Sequence, residues 1–203
     1  MRILLSSICA FFLIGCASYP KKNGFRPIGD IAIDNLNPYF SDTSKDYVYK
    51  AKIDAFDQSF GGLFIVKKLG NTNHRLVFTT EMGNTIFDFT FQEDNFKVNH
   101  ILKAMDKKIL TNILKKDFKA LIKEHPPIHE VFSTQGDIVV ETEILSKKHY
   151  FYLVDHRLTK IARVKSGKEA VVFQFSGDTR SYAKEIRILH KNIKLQIVLT
   201  ALE

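Results

Sequence analysis

The sequence contains no tryptophan and only two cysteines, Cys9 and Cys16, among its 203 residues. Cys9 lies in an apolar N-terminal run, so removal of that run would leave a single cysteine and exclude an internal disulfide. An exported domain without a disulfide must rely on its own hydrophobic core for stability. The apolar runs are also shorter than the roughly 20 residues that a membrane-spanning helix needs.

Recognisable catalytic motifs are missing as well. The sequence has no G-x-S-x-G, P-loop or dinucleotide-binding pattern. Of the seven histidines, only His125 and His129 have the spacing of metal ligands, and the two prolines between them prevent the helical geometry that would bring them together. Asp54 and Asp57 fall on opposite faces of a strand. We therefore predict no catalytic group, no metal site and no cofactor, and we expect the protein not to be an enzyme.

The N-terminus combines Arg2 with an apolar run from Ile3 to Leu13, a pattern typical of a secretion signal. The run ends in Leu13-Ile14-Gly15-Cys16, which resembles the lipobox of bacterial lipoproteins. The resemblance implies cleavage before Cys16 and acylation of its thiol and its new amino group. We expect a signal peptide at 1–15, the lipidated Cys16 with an irregular tether at 16–45, and a folded domain at 46–203. The alternative is an ordinary secretion signal that happens to contain a cysteine.

The residues after Cys16 indicate the membrane to which the protein is sorted. Ala17 and Ser18 lack the aspartate that retains some bacterial lipoproteins in the inner membrane. By this resemblance we expect the protein to be lipid-anchored in the outer membrane, on its periplasmic face.

Basic residues outnumber acidic ones, 30 to 22, for a formal net charge of +8. An exported lipoprotein rarely meets nucleic acid, so anionic lipid head groups or acidic partners fit this charge better. A solvated basic surface without a partner explains it equally well. The aromatic content is 17 Phe and 7 Tyr, which indicates a large apolar interior.

Period-two alternation of apolar and polar residues dominates the chain from Tyr47 onwards and predicts about a dozen short antiparallel strands. The period changes once, where apolar residues recur at helical spacing between Asp106, a suitable N-cap, and Pro126. The pattern therefore predicts a mainly β fold with one long helix. One strongly curved sheet, an incomplete barrel, should be plugged or covered by that helix.

Apolar residues from adjacent strands should line a concave face of this sheet, joined by one residue of the helix. They are Leu63, Ile65, Leu76, Phe78, Phe87, Phe89, Phe91 and Ile113. Periodicity alone does not distinguish a hydrophobic cavity from a core filled by the helix.

The segment Arg75 to Phe89 resembles the central hairpin of the LolB family of outer-membrane lipoprotein receptors, in the LolA/LolB superfamily. Its shared features are an apolar strand beginning with Arg-Leu and a short loop carrying a large apolar residue followed by glycine, here Met82-Gly83. The final hairpin, from Glu185 to Leu202, fits the family as well. The chain departs from the family pattern at Glu81, where a proline is expected, and in lacking tryptophan.

The family resemblance implies an open antiparallel half-barrel covered by helix, with a lipid-sized hydrophobic cavity. It implies that the eight apolar residues bind acyl chains of lipoproteins and that Met82 sits in a membrane-insertion loop. The implied function is a monomeric receptor that takes lipoproteins from a periplasmic LolA-like carrier and inserts them into the outer membrane. Two alternatives remain: a module that binds another lipid without sorting lipoproteins, and a structural envelope lipoprotein with a filled core.

Overall fold

The structure, a computed structural model, describes residues 18–29, 31, 33, 35–177 and 182–202. The expected signal peptide and the lipidation site Cys16 lie outside the described residues. Among the described residues, no helix combines the length and apolarity needed to cross a bilayer.

Thirteen strands in the described part of the chain form one antiparallel sheet. In chain order they are β1 (Arg26–Pro27), β2 (Asp46–Ala55), β3 (Gln58–Lys68), β4 (Asn73–Thr79), β5 (Thr85–Gln92), β6 (Asn95–Ile101), β7 (Ile128–Thr134), β8 (Asp137–Ile144), β9 (Lys147–Val154), β10 (Arg157–Lys165), β11 (Lys168–Ser176), β12 (Glu185–His190) and β13 (Leu195–Ala201). Their order across the sheet is β1-β7-β8-β9-β10-β11-β12-β13-β2-β3-β4-β5-β6. The sheet is open, because β1 and β6 stand at its two ends.

Tight turns make this sheet antiparallel. Leu145-Ser146, Asp155-His156 and Ser166-Gly167 each place two residues at positive φ between consecutive strands. Two such residues match the twist of the flanking strands in a hairpin. Because these turns fix the register, the alternation in each strand separates an interior face from an exterior one.

Within the described residues, two helices accompany the sheet: α1 (Tyr19–Lys22) and α2 (Lys108–Ile122). The pattern predicted a helix from Asp106, whereas Lys107 occupies the N-cap position without a side-chain cap. Adjacent residues of α2 contact distant strands, since Phe118 meets Phe87 of β5 while Asp117 meets Arg163 of β10. A flat sheet would separate β5 from β10 by roughly 34 Å, at about 4.8 Å per strand. The sheet must therefore curve around α2 as a half-barrel.

The interior of the half-barrel is occupied. Buried residues of α2, of the segment 36–40 and of most strands form one contiguous hydrophobic core. A vacant, lipid-sized cavity is thus not confirmed. Part of the segment expected to be an irregular tether belongs to the folded domain, since Leu36, Tyr39 and Phe40 are buried in this core.

Candidate functional site

An aromatic cluster fills the interior between α2 and strands β3 to β5. Phe118 of α2 lies 5.1 Å from Phe64, 5.6 Å from Phe87 and 6.4 Å from Phe89, measured between ring centroids. Phe87 and Phe89 stack at 4.4 Å, and Phe78 lies 5.4 Å from Phe87. All five rings are fully buried. A single helix thus covers a continuous aromatic surface of the sheet.

Six of the eight residues predicted to line this face lie there. Leu76, Phe78, Phe87, Phe89 and Phe91 are buried in the core, and Ile113 is partly buried against it. Leu63 and Ile65 lie instead on the opposite face of β3, because Phe64 and Val66 point inward.

The misplaced residues could have been found from the hairpin that joins β2 to β3. Ala55 pairs with Gln58 across a two-residue turn, so Tyr49 stands opposite Phe64. Residues paired across an antiparallel ladder share a face. The alternation of β2, which puts Tyr49 inside, therefore assigns Phe64 to the interior and Leu63 to the exterior.

Residues 36–40 fill the interior beside the helix. Tyr39 stacks on Phe175 with ring centroids 4.9 Å apart, and its hydroxyl donates to the Leu158 carbonyl at 2.9 Å. The Asn37 side-chain amide donates to the carbonyl of Leu121 near the end of α2, at 2.8 Å. This segment therefore holds the helix in the half-barrel.

A buried charged cluster, which we call the latch, joins the middle of α2 to the other half of the sheet. Asp117 is fully buried, and its Oδ2 lies 2.8 Å from Nε2 of His190 on β12. Its Oδ1 lies 2.9 Å from Nη1 of Arg163 on β10, without the alignment of a hydrogen bond, so this contact is an ion pair. A carboxylate buried this deeply requires such partners.

Two further polar side chains are buried in the same part of the sheet. His149 on β9 pairs with Thr142 on β8, and both are almost inaccessible to solvent. Nδ1 of His149 lies 2.8 Å from the Lys147 carbonyl, which requires that Nδ1 carry the proton and donate. Burial lowers the pKa of His149 to about 4. The interior thus presents an aromatic surface under β3 to β5, whereas under β8 to β12 buried polar groups accompany the apolar core.

Past the C-terminal end of α2, a polar cavity of about 410 Å³ opens beside the β3–β4 turn. Glu124 accepts a hydrogen bond from Nζ of Lys68 at 2.9 Å, and Lys119 donates to the carbonyl of Glu93. His74 contacts the Phe40 carbonyl at 3.2 Å, and burial lowers its pKa to about 4. This cavity suits polar groups rather than an acyl chain.

A more apolar cavity of about 340 Å³ lies at the same edge of the sheet, nearer its middle. Its lining includes Tyr47, Tyr49, Tyr182 and Leu202. The Tyr49 hydroxyl donates to the Ala183 carbonyl at 3.1 Å. The volume is at the lower end of ligand-sized cavities. Tyr47 and Tyr49, which line this cavity, also contact Phe40 of the segment 36–40.

The β4–β5 loop presents Met82 to solvent. The loop closes through hydrogen bonds from the Thr80 amide to the Asn84 carbonyl, at 2.8 Å, and from the Gly83 amide to the Thr80 carbonyl, at 2.9 Å. Gly83 has a φ of +86°, which glycine adopts without strain. Met82 is 91% exposed, so a tightly closed loop holds an apolar side chain in water.

The comparisons with known proteins give distant structural neighbours only. No protein-family model matches this chain, and no curated protein does. A LolA superfamily protein from Nitrosomonas europaea is 12% identical over 81% of this chain and 87% of its own, with a TM-score of 0.47. A domain from Vibrio parahaemolyticus, named for outer-membrane lipoprotein sorting, is 9% identical over 78% of this chain and 83% of its own, with a TM-score of 0.41.

The N-terminal segment holds a second cluster that sequence reasoning missed. Tyr19 is buried on the exterior face of the sheet against Tyr150, 4.6 Å between ring centroids. Its hydroxyl donates to Oε1 of Glu169 at 2.7 Å, and burial raises the pKa of Tyr19. Only the aromatic residues Tyr19 and Phe25 within a polar stretch signalled this contact. The folded domain thus begins within three residues of Cys16.

Proposed function

We propose that this protein is a lipoprotein of the bacterial outer membrane, anchored through Cys16 on the periplasmic face. It receives the acyl chains of other lipoproteins from a periplasmic LolA-like carrier and delivers them to the membrane. The observation that supports acyl-chain binding is the continuous aromatic surface of β3 to β5, which one helix covers. Acyl chains enter between α2 and that surface and lift the helix from it; their contacts are Leu76, Phe78, Phe87, Phe89 and Phe91 of the sheet and Ile113 of the helix.

The free energies of this exchange are of similar size. Displacing α2 exposes five large apolar side chains, namely Leu110, Leu114, Phe118, Leu121 and Ile122. At about 1.5–3 kcal/mol each, the loss is roughly 8–15 kcal/mol. Burying one saturated chain of about 16 carbons returns about 12 kcal/mol, at about 0.8 kcal/mol per methylene. Relative to chains in water, burial of the two or three chains of a lipoprotein therefore offsets the displacement of the helix, whereas chains taken from a carrier contribute only the difference between the two sites.

Release at the membrane requires that the free energy favour the return of α2 over the binding of acyl chains. The bilayer shields acyl chains as well as the protein does, so α2 returns to the aromatic surface once the chains can leave. Met82 suits the last step, because a flexible and polarisable side chain adapts to lipid. It stands fully in water at the tip of its loop, where it reaches a bilayer first. No covalent step and no cofactor are needed.

Photo-crosslinking tests this proposal directly. A benzophenone amino acid replaces one of two residues. Ile113 lies on the side of α2 that packs against the core, and Ile65 is partly buried on the exterior face of β3. The full chain is then irradiated with a synthetic triacylated lipopeptide. We expect a lipopeptide adduct at position 113 and none at position 65. Equal adducts at both positions, or none at 113, would overturn acyl-chain binding in the interior.

Paired substitutions provide the second arm. Phe89→Asp puts a charge on the aromatic surface and should abolish lipopeptide binding, whereas Ile65→Asp on the exterior should retain it. If Phe89→Asp fails to fold by circular dichroism, Phe89→Ala serves in its place. Sorting is tested separately, because depletion of the protein should leave other lipoproteins mislocalised.

The filled interior favours one alternative, an envelope lipoprotein without sorting activity. A structural role needs no displacement of α2, and the packed core is what such a role predicts. Lipopeptide adducts at position 113 would exclude this alternative. Adducts without a sorting defect would instead favour binding of another lipid.

A further inference from the structure

The segment from the end of β6 through the start of α2, residues 102–109, exposes apolar side chains, and we call it the β6–α2 link. Leu102 is 41% exposed and follows the partly buried Ile101, and Ile109 is 71% exposed and precedes the buried Leu110. The link is firmly built: the Leu102 amide donates to the Ile86 carbonyl at 2.7 Å, and the Met105 amide to the Leu102 carbonyl at 2.8 Å. Met105 is fully buried and fixes the link to the core. Leu102 and Ile109 are therefore held outward.

Three lysines alternate with these apolar residues. Lys103, Lys107 and Lys108 are exposed, and none of them forms an ion pair within the described part of the chain. Helix stability does not explain them, because acidic residues are the ones that stabilise the first turn of a helix. Asp106 is the single acidic residue of the link. Exposed apolar side chains interleaved with lysines are typical of a surface that lies in the bilayer interface.

The topology places this link beside the Met82 loop. In an antiparallel sheet, alternate connections lie at the same edge. The β4–β5 loop and the end of β6 are therefore at one edge, and the hydrogen bond from Leu102 to Ile86 joins them directly. Met82 and the β6–α2 link are therefore neighbours at one edge of the half-barrel.

We infer that the β6–α2 link is a second membrane contact, in which Leu102 and Ile109 enter the head-group region of an anionic bilayer and Lys103, Lys107 and Lys108 bind lipid phosphates. The inference extends the proposed function, from which it takes the membrane setting. It joins the membrane contact to the first turn of α2, the helix that must leave the aromatic surface. Contact of the link with lipid therefore acts directly on α2, the helix that covers the aromatic surface.

Fluorescence quenching in vesicles tests the contact. The full-length acylated protein carries one new cysteine, from Leu102→Cys, Ile109→Cys or the control Leu69→Cys, labelled with an environment-sensitive dye. Leu69 is 54% exposed in the β3–β4 turn, at the opposite edge of the sheet. Vesicles of phosphatidylethanolamine and phosphatidylglycerol contain nitroxide-labelled lipid. We expect quenching and a blue shift at 102 and 109 and neither at 69. Absence of quenching at 102 and 109, or equal quenching at 69, would overturn the inference.

A charge control separates specific contact from general attraction. Lys103→Gln/Lys107→Gln/Lys108→Gln should remove most of the quenching at position 109, as should vesicles of phosphatidylcholine alone. Lys45→Gln/Lys67→Gln/Lys184→Gln removes equal charge from the opposite edge of the sheet, near the ends of β2, β3 and β12, and should leave the quenching unchanged. Equal losses from both triple variants would contradict a specific lysine contact. Dye protection by a periplasmic carrier, with no quenching by lipid, would assign the edge to a protein partner instead.

The two proposals fail in different ways. Normal quenching without lipopeptide adducts at position 113 would support the membrane contact and contradict acyl-chain transfer. Adducts without quenching would support acyl-chain binding and contradict the membrane contact.

Discussion

Asp117 shows how one residue decides the position of an element. The helical pattern treats it as a polar position, yet it is fully buried and holds Arg163 and His190. Asp117→Asn keeps the shape of the side chain and removes the charge, which leaves the largely buried Arg163 uncompensated. Removing one partner of a buried pair costs about 3–5 kcal/mol, and we expect a loss of about 3 kcal/mol in urea unfolding because the contact with His190 survives.

The same substitution should loosen α2 before the rest of the fold. Hydrogen exchange of the helix amides is expected to accelerate more than that of β2 and β3, to which Asp117 makes no described contact. Asp106→Asn, on the exposed link, is the matched control and should change neither measurement. Uniform acceleration across the sheet would show that Asp117 supports the whole fold and does not act as a latch for the helix.

At the scale of elements, alternation and turn residues were sufficient to predict most strands. The open, antiparallel, mainly β sheet was confirmed. The strand face of Leu63 and Ile65 was not predicted correctly, because Gly61-Gly62 interrupts the pattern of β3 and hides its phase. The contribution of residues 36–40 was also missed, since single apolar residues in a polar stretch show no period. The sequence did not predict whether the interior is filled, because this depends on contacts between distant segments, such as Tyr39 with Phe175. Local patterns do not contain such contacts.

The Gly61-Gly62 pair offers a direct test of how β3 accommodates the Met82 loop. A Cβ on Gly62 would lie 1.8 Å from the Thr79 carbonyl oxygen, where the loop begins, whereas one on Gly61 would meet nothing within 4 Å. Gly62→Ala must move backbone, so we expect a loss of about 3 kcal/mol. Gly61→Ala should be neutral or stabilising by about 0.5 kcal/mol. Thermal unfolding of the two variants measures this, and equal effects would show that the approach at Thr79 is not limiting.

The whole molecule is organised around two unlike halves of one interior. Aromatic side chains of β3 to β5 hold α2 by dispersion and burial, while Asp117 anchors it electrostatically to β10 and β12. Burial of the aromatic side chains in the first half is insensitive to salt, whereas the ion pair in the second half depends on charge. A ligand with apolar chains competes with the helix only on the first half. In the proposed exchange, the latch therefore sets how easily the helix leaves, without taking part in acyl-chain contacts.

Acid should destabilise the whole molecule through its buried histidines. The pKa of His149 and that of His74 are both lowered to about 4, from about 6.5 when unfolded. Below pH 6.5 these histidines bind protons in the unfolded chain but stay neutral in the folded chain. The stability present at pH 7 is therefore lost as the pH falls towards 4. At pH 5 the loss is roughly 2 kcal/mol for each histidine. Urea unfolding of His149→Asn should show a shallower decline between pH 7 and 5 than the unsubstituted protein, and the exposed control His129→Asn should show the full decline. An unchanged decline in His149→Asn would mean that protonation of His149 does not oppose folding.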